Sequence, residues 1–554
     1  MRHTFRMTVS RRSAVYGYLR QVTADAERMT NTAHFYIRNT MTGLAKAPAL
    51  RTENEKQVLV DVERGIRAAN EKQAARFDVL QQEAQAASGH CTLAAERAMF
   101  RAAGIVFFEI PDKEHWQLSY GMLDAVFKAL DNPVYRRMPS QVNQNCLRKA
   151  DKAWKGYHAA RKEYAAHPDR FKGKVRLPGY RHSGHGTAWF TNQTARLSLR
   201  DGKAYLSFCG CGTPVCIGKE AMFRGLKYEK TEAKVLMGQM VLLLTFDDGQ
   251  KALPVPEKPQ RVLGIDPGLG NLMTCAGNFG AVPLVVRGGC VKAINQQFNK
   301  RMTDLTSAAM RGHDPKTYRC PYTKQMAALS WKRDNQLRDF FYKAAHAVCR
   351  YAAAHGVDVI VFGHNNGQKQ DADMGHQTNQ AFVSVPHEKL VRILQYVAAG
   401  YGIPVVVREE SYTSKASLLD GDAIPTHKAG EEKPYTFSGK RVKRGLYRSK
   451  DGTCLNADVN GAANIARKEY PDTFKGTDFS AFQSTRTVTF RSLYPDAKGR
   501  PAPSKPAAGR LPNHKSENAY RRHKSRDRRR TELKQAFPPP RPKAVKKQPD
   551  EPAA

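Results

Sequence analysis

The sequence predicts a multidomain α+β protein: a basic helical lobe and a small antiparallel β-barrel joined to an α/β domain. Three observations predict it. Apolar residues first recur at three- and four-residue spacing, then at alternate positions between turn signals, and then in strand-length runs that alternate with helical stretches. A chain of 554 residues also exceeds what one hydrophobic core usually supports.

From about Ser13 to Gln82 the pattern is helical, with Arg and Lys interleaved among Tyr, Phe, Leu and Val and almost no Pro or Gly. A second helical stretch begins at Pro139, in PSQVNQNCLRKADKAWKGYHAARKEYAA. There Val142, Cys146, Ala150, Trp154 and Tyr157 form one apolar face, while Arg148, Lys149, Lys152, Lys155, Arg161 and Lys162 crowd the rest. Such a helix packs on a core, lies along a phosphate backbone, or does both. Residues 164–253 change to short alternating runs, and Asp201-Gly202 between two of them signals a hairpin. PVPEKPQ from Pro254 is a proline-punctuated linker, placed at 254–260. From Arg261 an α/β order follows: strands RVLGID and AVPLVV, a long basic helix carrying Lys332 and Arg333, strand VDVIVFG, a helix from about Glu388 to Gly400, strand PVVVREE, and a helix at NADVNGAANIARK. After about Tyr470 the pattern decays, and ten of the 30 prolines fall after Gly499, so 471–554 is expected to be a disordered basic tail.

Lys and Arg number 90 against 51 Asp and Glu, a formal charge of +39, far beyond the roughly 2–8 that serves solubility in a small domain. A polyanion is the expected partner, because each neutralised phosphate releases counterions. The longest apolar runs, VLLLTF and VDVIVF, fall far short of the ~20 residues that span a bilayer, and MRHTFRMTVSRRSAVYGYLRQ has no signal-like apolar core. Ten cysteines without a regular framework fit a reducing compartment. The expectation is a cytoplasmic protein with no membrane partner.

Two segments stand out chemically. GIDPG puts Asp266 at the end of a buried apolar strand, where a carboxylate is costly unless it meets a cation. In NADVNGAANI, Asp458 stands in the first turn of a helix that Asn456 can cap. Alone, each reads equally as a turn or cap residue.

Taken in order, GIDPG, VIVFGHNNGQKQ, NQAFVSVPHEKL, REESYTSKASLLDGDAIP, FSGKRVKRGLYRS and NADVNGAANIARK resemble the TnpB (OrfB) proteins of insertion sequences and related type V CRISPR effectors. MPSQVNQNCLRKADKAWKGY and FKGKVRLPGYR resemble the guide-binding lobe of that family. The resemblance implies a RuvC-like nuclease of RNase H fold at 261–410 and 456–470, a helical recognition domain at 16–163, and a wedge β-domain at 164–253 whose first strand is 1–15. It further implies a guide RNA, single- and double-stranded DNA partners, recognition of a short flanking motif, and two Mg²⁺ ions about 4 Å apart, with Mn²⁺ as a substitute. Asp266 and Asp458 match the first and last acidic positions.

Two departures qualify it. The family glutamate expected after Phe362 is absent, because Gly363, His364 and Asn365 follow. Glu409-Glu410 is the nearest replacement; strand alternation sends the two to opposite faces, and Glu410 is the candidate ligand with Glu409 the alternative. If neither serves, the protein is an RNA-guided binder with a degenerate site. The family's two CxxC pairs are also missing from the insert 411–455, where Cys454 is the only cysteine, so no zinc is expected there. Lys440, Arg441, Lys443 and Arg444 in GKRVKRGLYR either steer a DNA strand or form a solvated hairpin. Arg148, Lys152, Lys155, Lys332, Arg333 and Lys369 complete the expected nucleic-acid contacts. Cys209, Cys211 and Cys216 read as β-domain residues before metal ligands, and His346 and His364 as structural histidines before proton shuttles, because metal-bound water needs no His base.

Overall fold

In a computed structural model, the structure describes residues 2–88, 92–315, 317–364, 384–426, 435–443 and 445–495. Met1–Leu493 is one compact unit and Tyr494–Ala554 a second; every element named here belongs to the first. The architecture is α+β, with a helical N-terminal region followed by mixed sheets.

The N-terminal helices are α1 (Val15–Leu44), α2 (Glu53–Ser88), α3 (Thr92–Ala103), α4 (Tyr120–Ala129) and α5 (Ser140–Ala166). The single helical stretch expected up to Gln82 is broken at Pro48, which cannot donate to a helix ladder. Helix α2 restarts through a reciprocal cap. The Thr52 backbone N–H donates to Glu55 Oε2 at 2.8 Å, and the Glu55 N–H donates to Thr52 Oγ1 at 3.3 Å. On α5 the expected apolar face is inward: Val142, Cys146, Ala150 and Trp154 are buried, and Tyr157 is partly covered.

Strands β1 (Arg2–Thr8), β2 (Thr187–Thr191), β3 (Ala195–Arg200), β4 (Lys203–Phe208), β5 (Val215–Lys219), β6 (Lys227–Leu236) and β7 (Gln239–Asp247) make two sheets, ordered β1-β7-β6-β2 and β3-β4-β5. Arg200 pairs with Lys203, so the β3–β4 turn is Asp201-Gly202, with φ of 52° and 68°. Two positive φ values in a two-residue hairpin loop match the strands' twist, and they suit Asp-Gly. Leu19 and Met29 of α1, Phe127 of α4, Phe190 of β2 and Leu242 of β7 belong to one continuous apolar cluster. Helices and β-strands therefore share a core in this part of the chain.

The largest sheet has six strands, ordered β12-β11-β8-β9-β10-β16. They are β8 (Val262–Pro267), β9 (Asn271–Gly277), β10 (Leu284–Arg287), β11 (Val359–Gly363), β12 (Val405–Arg408) and β16 (Arg486–Val488). Strands β8, β11 and β12 run parallel, so their carboxyl ends lie side by side. The helices here are α6 (Gly289–Ala309), α7 (Lys324–Ala354), α8 (His387–Ala399) and α9 (Ala457–Glu469). Helix α9 crosses β8 so closely that a Cβ at Gly264 would run into the Ala462 carbonyl. Strand β16 falls inside the stretch expected to be a tail: Leu284–Val286 pair in parallel with Arg486–Val488. A three-residue strand is too short for alternation to reveal. A three-stranded sheet, β13 (Lys440–Lys443), β14 (Leu446–Arg448) and β15 (Cys454–Asn456), leads directly into α9.

Candidate active site

Asp266 stands at the end of β8, one residue beyond Ile265, which pairs with Phe362 of β11. Gly363 ends β11 and pairs with Arg408, and Glu410 follows two residues later. These carboxyl ends form one edge, the usual location of ligand sites in open α/β sheets. Asn456 caps α9, accepting from the N–H groups of Asp458 and Val459, and thereby delivers Asp458 to the same edge. A Cβ at Gly461, one turn further on, would come within 2.9 Å of Asp266 Oδ2, so the glycine lets the helix pass close to that carboxylate without displacing it.

Gly363, the position that lacks a carboxylate, is crowded. A side chain there would begin 2.9 Å from Glu410 Oε2 and 2.5 Å from Ile465 Cδ1. The Glu410 carboxylate thus fills the space that a residue at 363 would enter. Burial raises the Asp266 carboxyl well above the usual range, with the Glu410 and Asp458 charges adding to it and Arg441 opposing. Burial, and then the adjacent Glu409 charge, push Glu410 up to about 7 against the pull of Lys468. Asp266, Glu410 and Asp458 therefore form an electrostatically coupled group.

Glu409 is engaged elsewhere. Its Oε2 accepts from Lys468 Nζ at 2.6 Å and its Oε1 from the Ser411 N–H at 2.6 Å. Lys468 is almost fully buried and also donates to the Ser411 carbonyl at 3.0 Å.

Asp458 is held on both oxygens. Arg441 Nη2 of β13 lies 3.5 Å from Oδ1, and Asn271 Nδ2 donates to Oδ2 at 2.8 Å. Asn271 in turn accepts from Arg287 at 2.9 Å. Sequence reasoning misses Asn271 and Arg287 because it misses β9, whose residues, NLMTCAG, are nearly all buried and show no alternation. The Pro267–Gly270 turn between two apolar runs is the available signal.

Among the described residues no group of three His, Cys, Asp or Glu side chains is gathered tightly enough to form a ready metal cage. The donor set nevertheless fits Mg²⁺, which keeps several waters and binds proteins through one or two carboxylates plus substrate phosphates. Mutually repelling carboxylates at a sheet edge, approached by an arginine, are what such an ion relieves.

The other expected residues are dispersed. Arg148, Lys152 and Lys155 are exposed on α5; Arg148 stacks 4.7 Å over Tyr120, and Lys155 pairs with Asp151 at 2.9 Å. Lys332 is exposed on α7. Arg333 turns inward, donating to Asn295 Oδ1 and the Ser384 carbonyl at 2.7 Å each. Lys440, Arg441 and Lys443 are exposed along β13, while Lys369 and Arg444 lie outside the described residues. His346 contacts the Tyr401 hydroxyl at 3.3 Å, remote from the carboxylates in sequence and element. His364 Nδ1, just past β11, is buried and has no hydrogen-bond partner among the described residues. Cys211 and Cys216 donate to the carbonyls of Thr213 and Gly218.

Residues 233–368, which include β8 through β11, match the OrfB family described as a probable transposase. Residues 387–465, which include Glu410, β13–β15 and Asp458, match a Cas12f1-like TNB domain. The OrfB-like stretch thus holds Asp266, and the TNB-like stretch holds the other two carboxylates. No curated protein matches the chain. Solved structures similar to it include a Cas12f1–sgRNA–target DNA complex at 10% identity and TM-score 0.37, covering 84% of this chain and 98% of that one. A CRISPR-Cas12f ternary complex matches at 12% identity and TM-score 0.26, covering 74% and 82%. Alicyclobacillus acidoterrestris C2c1 with single-guide RNA matches at 9% identity and TM-score 0.26, covering 76% and 70%. Among the described residues no helix is long and apolar enough to cross a membrane.

Proposed function

We propose that this protein is an RNA-guided, Mg²⁺-dependent DNA endonuclease that cuts a guide-matched target beside a short flanking motif. The observation that carries the reading is the meeting of Asp266, Glu410 and Asp458 at one sheet edge, with Glu410 in the space beside Gly363. The OrfB and Cas12f1-like matches and the +39 charge support a nucleic-acid substrate. Asp266, Glu410 and Asp458 would hold the divalent ions, and Glu409 would not, because it neutralises Lys468. When bound, such ions supply Lewis-acid activation for phosphodiester hydrolysis. The chain's own part is to set Asp266 at the end of β8, Glu410 just past β12 and Asp458 in the first turn of α9, and to bring the strand past them. Arg441, beside Asp458 on an exposed strand, is suited to receive a phosphate of that strand. The exposed basic face of α5 is suited to the phosphates of the guide and its heteroduplex.

The test is cleavage of matched DNA by the purified ribonucleoprotein in Mg²⁺. Asp266→Ala, Glu410→Ala and Asp458→Ala should each abolish product while guide-dependent binding persists; full cutting by all three would refute the site. A second reading, an RNA-guided binding protein with an inactive centre, is favoured by the lack of a tight ligand cage among the described residues. It requires guide-dependent binding with no Mg²⁺-dependent product from the wild-type protein.

A further inference from the structure

We propose that Asn271, oriented by Arg287, is a positioning residue that fixes the Asp458 carboxylate for cation binding; this rests on the carboxylate site proposed above. Asn271 opens β9 and Arg287 ends β10, and the two are register partners across the antiparallel pair. A bulge between Val286 and Arg287 shifts the register there, and Arg287 Nη1 donates to Asn271 Oδ1 at 2.9 Å. Asn271 Nδ2 donates to Asp458 Oδ2 at 2.8 Å.

The chemistry of the three groups gives this chain a direction. A guanidinium has donors only and an ionised carboxylate acceptors only, whereas an amide has one end of each kind. Between Arg287 and Asp458 the Asn271 side chain has one satisfying orientation, with its carbonyl toward the arginine and its NH₂ toward the aspartate. Without Arg287 the amide is free to turn its oxygen toward Asp458, which is repulsive. Arg287 therefore acts on Asp458 only through Asn271. The result is that Asp458 Oδ2 is committed as an acceptor. Oδ1, faced by Arg441 at 3.5 Å, is left as the oxygen that can exchange an arginine for a cation.

Partners that orient metal ligands commonly change affinity by about 10–100-fold when removed. The probe is Mn²⁺ alone, titrated calorimetrically into the full-length protein without nucleic acid, with the melting temperature of each variant recorded. Asn271→Leu should weaken Mn²⁺ binding by about 10–100-fold, and Arg287→Met by about 10-fold. The double variant should be no weaker than Asn271→Leu alone, because a relay is not additive. Arg287 is exposed at a strand end, so its variant reports even if Asn271→Leu lowers the melting temperature. The relay is overturned if Arg287→Met binds Mn²⁺ within about two-fold of wild type, or if the two losses multiply in the double variant. Asp266→Ala is the control. If it loses Mn²⁺ while the Asn271 and Arg287 variants keep wild-type affinity, the relay alone fails; if it binds like wild type, the carboxylate site fails and the relay with it.

Discussion

Glu409 and Glu410 are identical side chains one residue apart, and their surroundings drive them in opposite directions. Burial works to raise Glu409, but hydrogen bonds from Lys468 and Ser411 outweigh it and hold the carboxyl below its usual range. Glu410 has burial and the Glu409 charge against it and rises from 4.5 to about 7. A raised folded pKa means that the native state binds the extra proton between those values, so this group's contribution to stability falls as pH rises from about 4.5 to 7. In the metal-free protein Glu410→Gln should flatten that slope, which urea midpoints at pH 5 and pH 7 in chelator will show. Glu409→Gln should do something different. It leaves the buried Lys468 ammonium without its counter-charge and should cost roughly 1–3 kcal/mol of stability, while the proposed DNA cleavage persists. Loss of cleavage with unchanged stability in that variant would exchange the roles assigned to the two glutamates.

At the scale of elements, the small β13–β15 sheet has a correspondingly small core of Tyr447, Leu455 and Ala457. Side-chain oxygens compensate. Asp422 Oδ2 accepts from the N–H groups of Ser417 at 2.8 Å and Ser438 at 3.0 Å, Asp420 accepts from the Lys450 N–H at 3.0 Å, and the Tyr447 hydroxyl donates to the Lys415 carbonyl at 2.7 Å. Asp422→Ala should raise hydrogen exchange at Ser417, Ser438 and neighbouring amides by about 10-fold or more and leave α1 and α5 protected. In the helical region, Trp154 Nε1 of α5 donates to His34 Nδ1 of α1 at 3.0 Å, so His34 is held neutral. Burial, reinforced by Arg38 and Arg181, lowers it to about 4. The unfolded chain takes up this proton first, so stability is lost as pH falls from about 6.5 toward 4. A His34→Gln variant, compared with wild type by denaturation at pH 7 and pH 5, should show a smaller acid-induced loss.

Over the whole molecule, the first strand ties the N-terminal sheet to helices of the large sheet. Arg6 of β1 stacks 4.0 Å over Trp331 of α7, and its Nη1 donates to Asp334 at 2.7 Å. Asp334 also accepts from Lys389 of α8. His3, near the start of the same strand, contacts Tyr396 of α8 and bonds Asp248. Arg6→Ala removes a stacked cation and leaves Asp334 with less compensation, and it should destabilise the protein by roughly 2–3 kcal/mol in a thermal melt. The +39 charge sets the other global expectation. Affinity for the proposed guide RNA should fall by about 10³-fold or more between 50 and 200 mM salt, measured by filter binding, as for a protein that neutralises six or more phosphates.

Period, charge and turn chemistry lie in adjacent residues, and the sequence by itself determines what depends on them. The buried face of α5, the Asp201-Gly202 hairpin, the strand ending at Asp266 and the Asn456 cap over Asp458 all follow from local rules of spacing and capping. Tertiary structure decided what depends on residues far apart in the chain. It turned Glu410, not Glu409, toward Asp266, because Lys468 from α9 claims the first carboxylate and Gly363 leaves room for the second. It added β9 and β16 to the large sheet, since a fully buried strand shows no alternation and a three-residue strand is too short to show any. It also placed Asn271 and Arg287 behind Asp458, through a bulge that spacing along the sequence does not reveal.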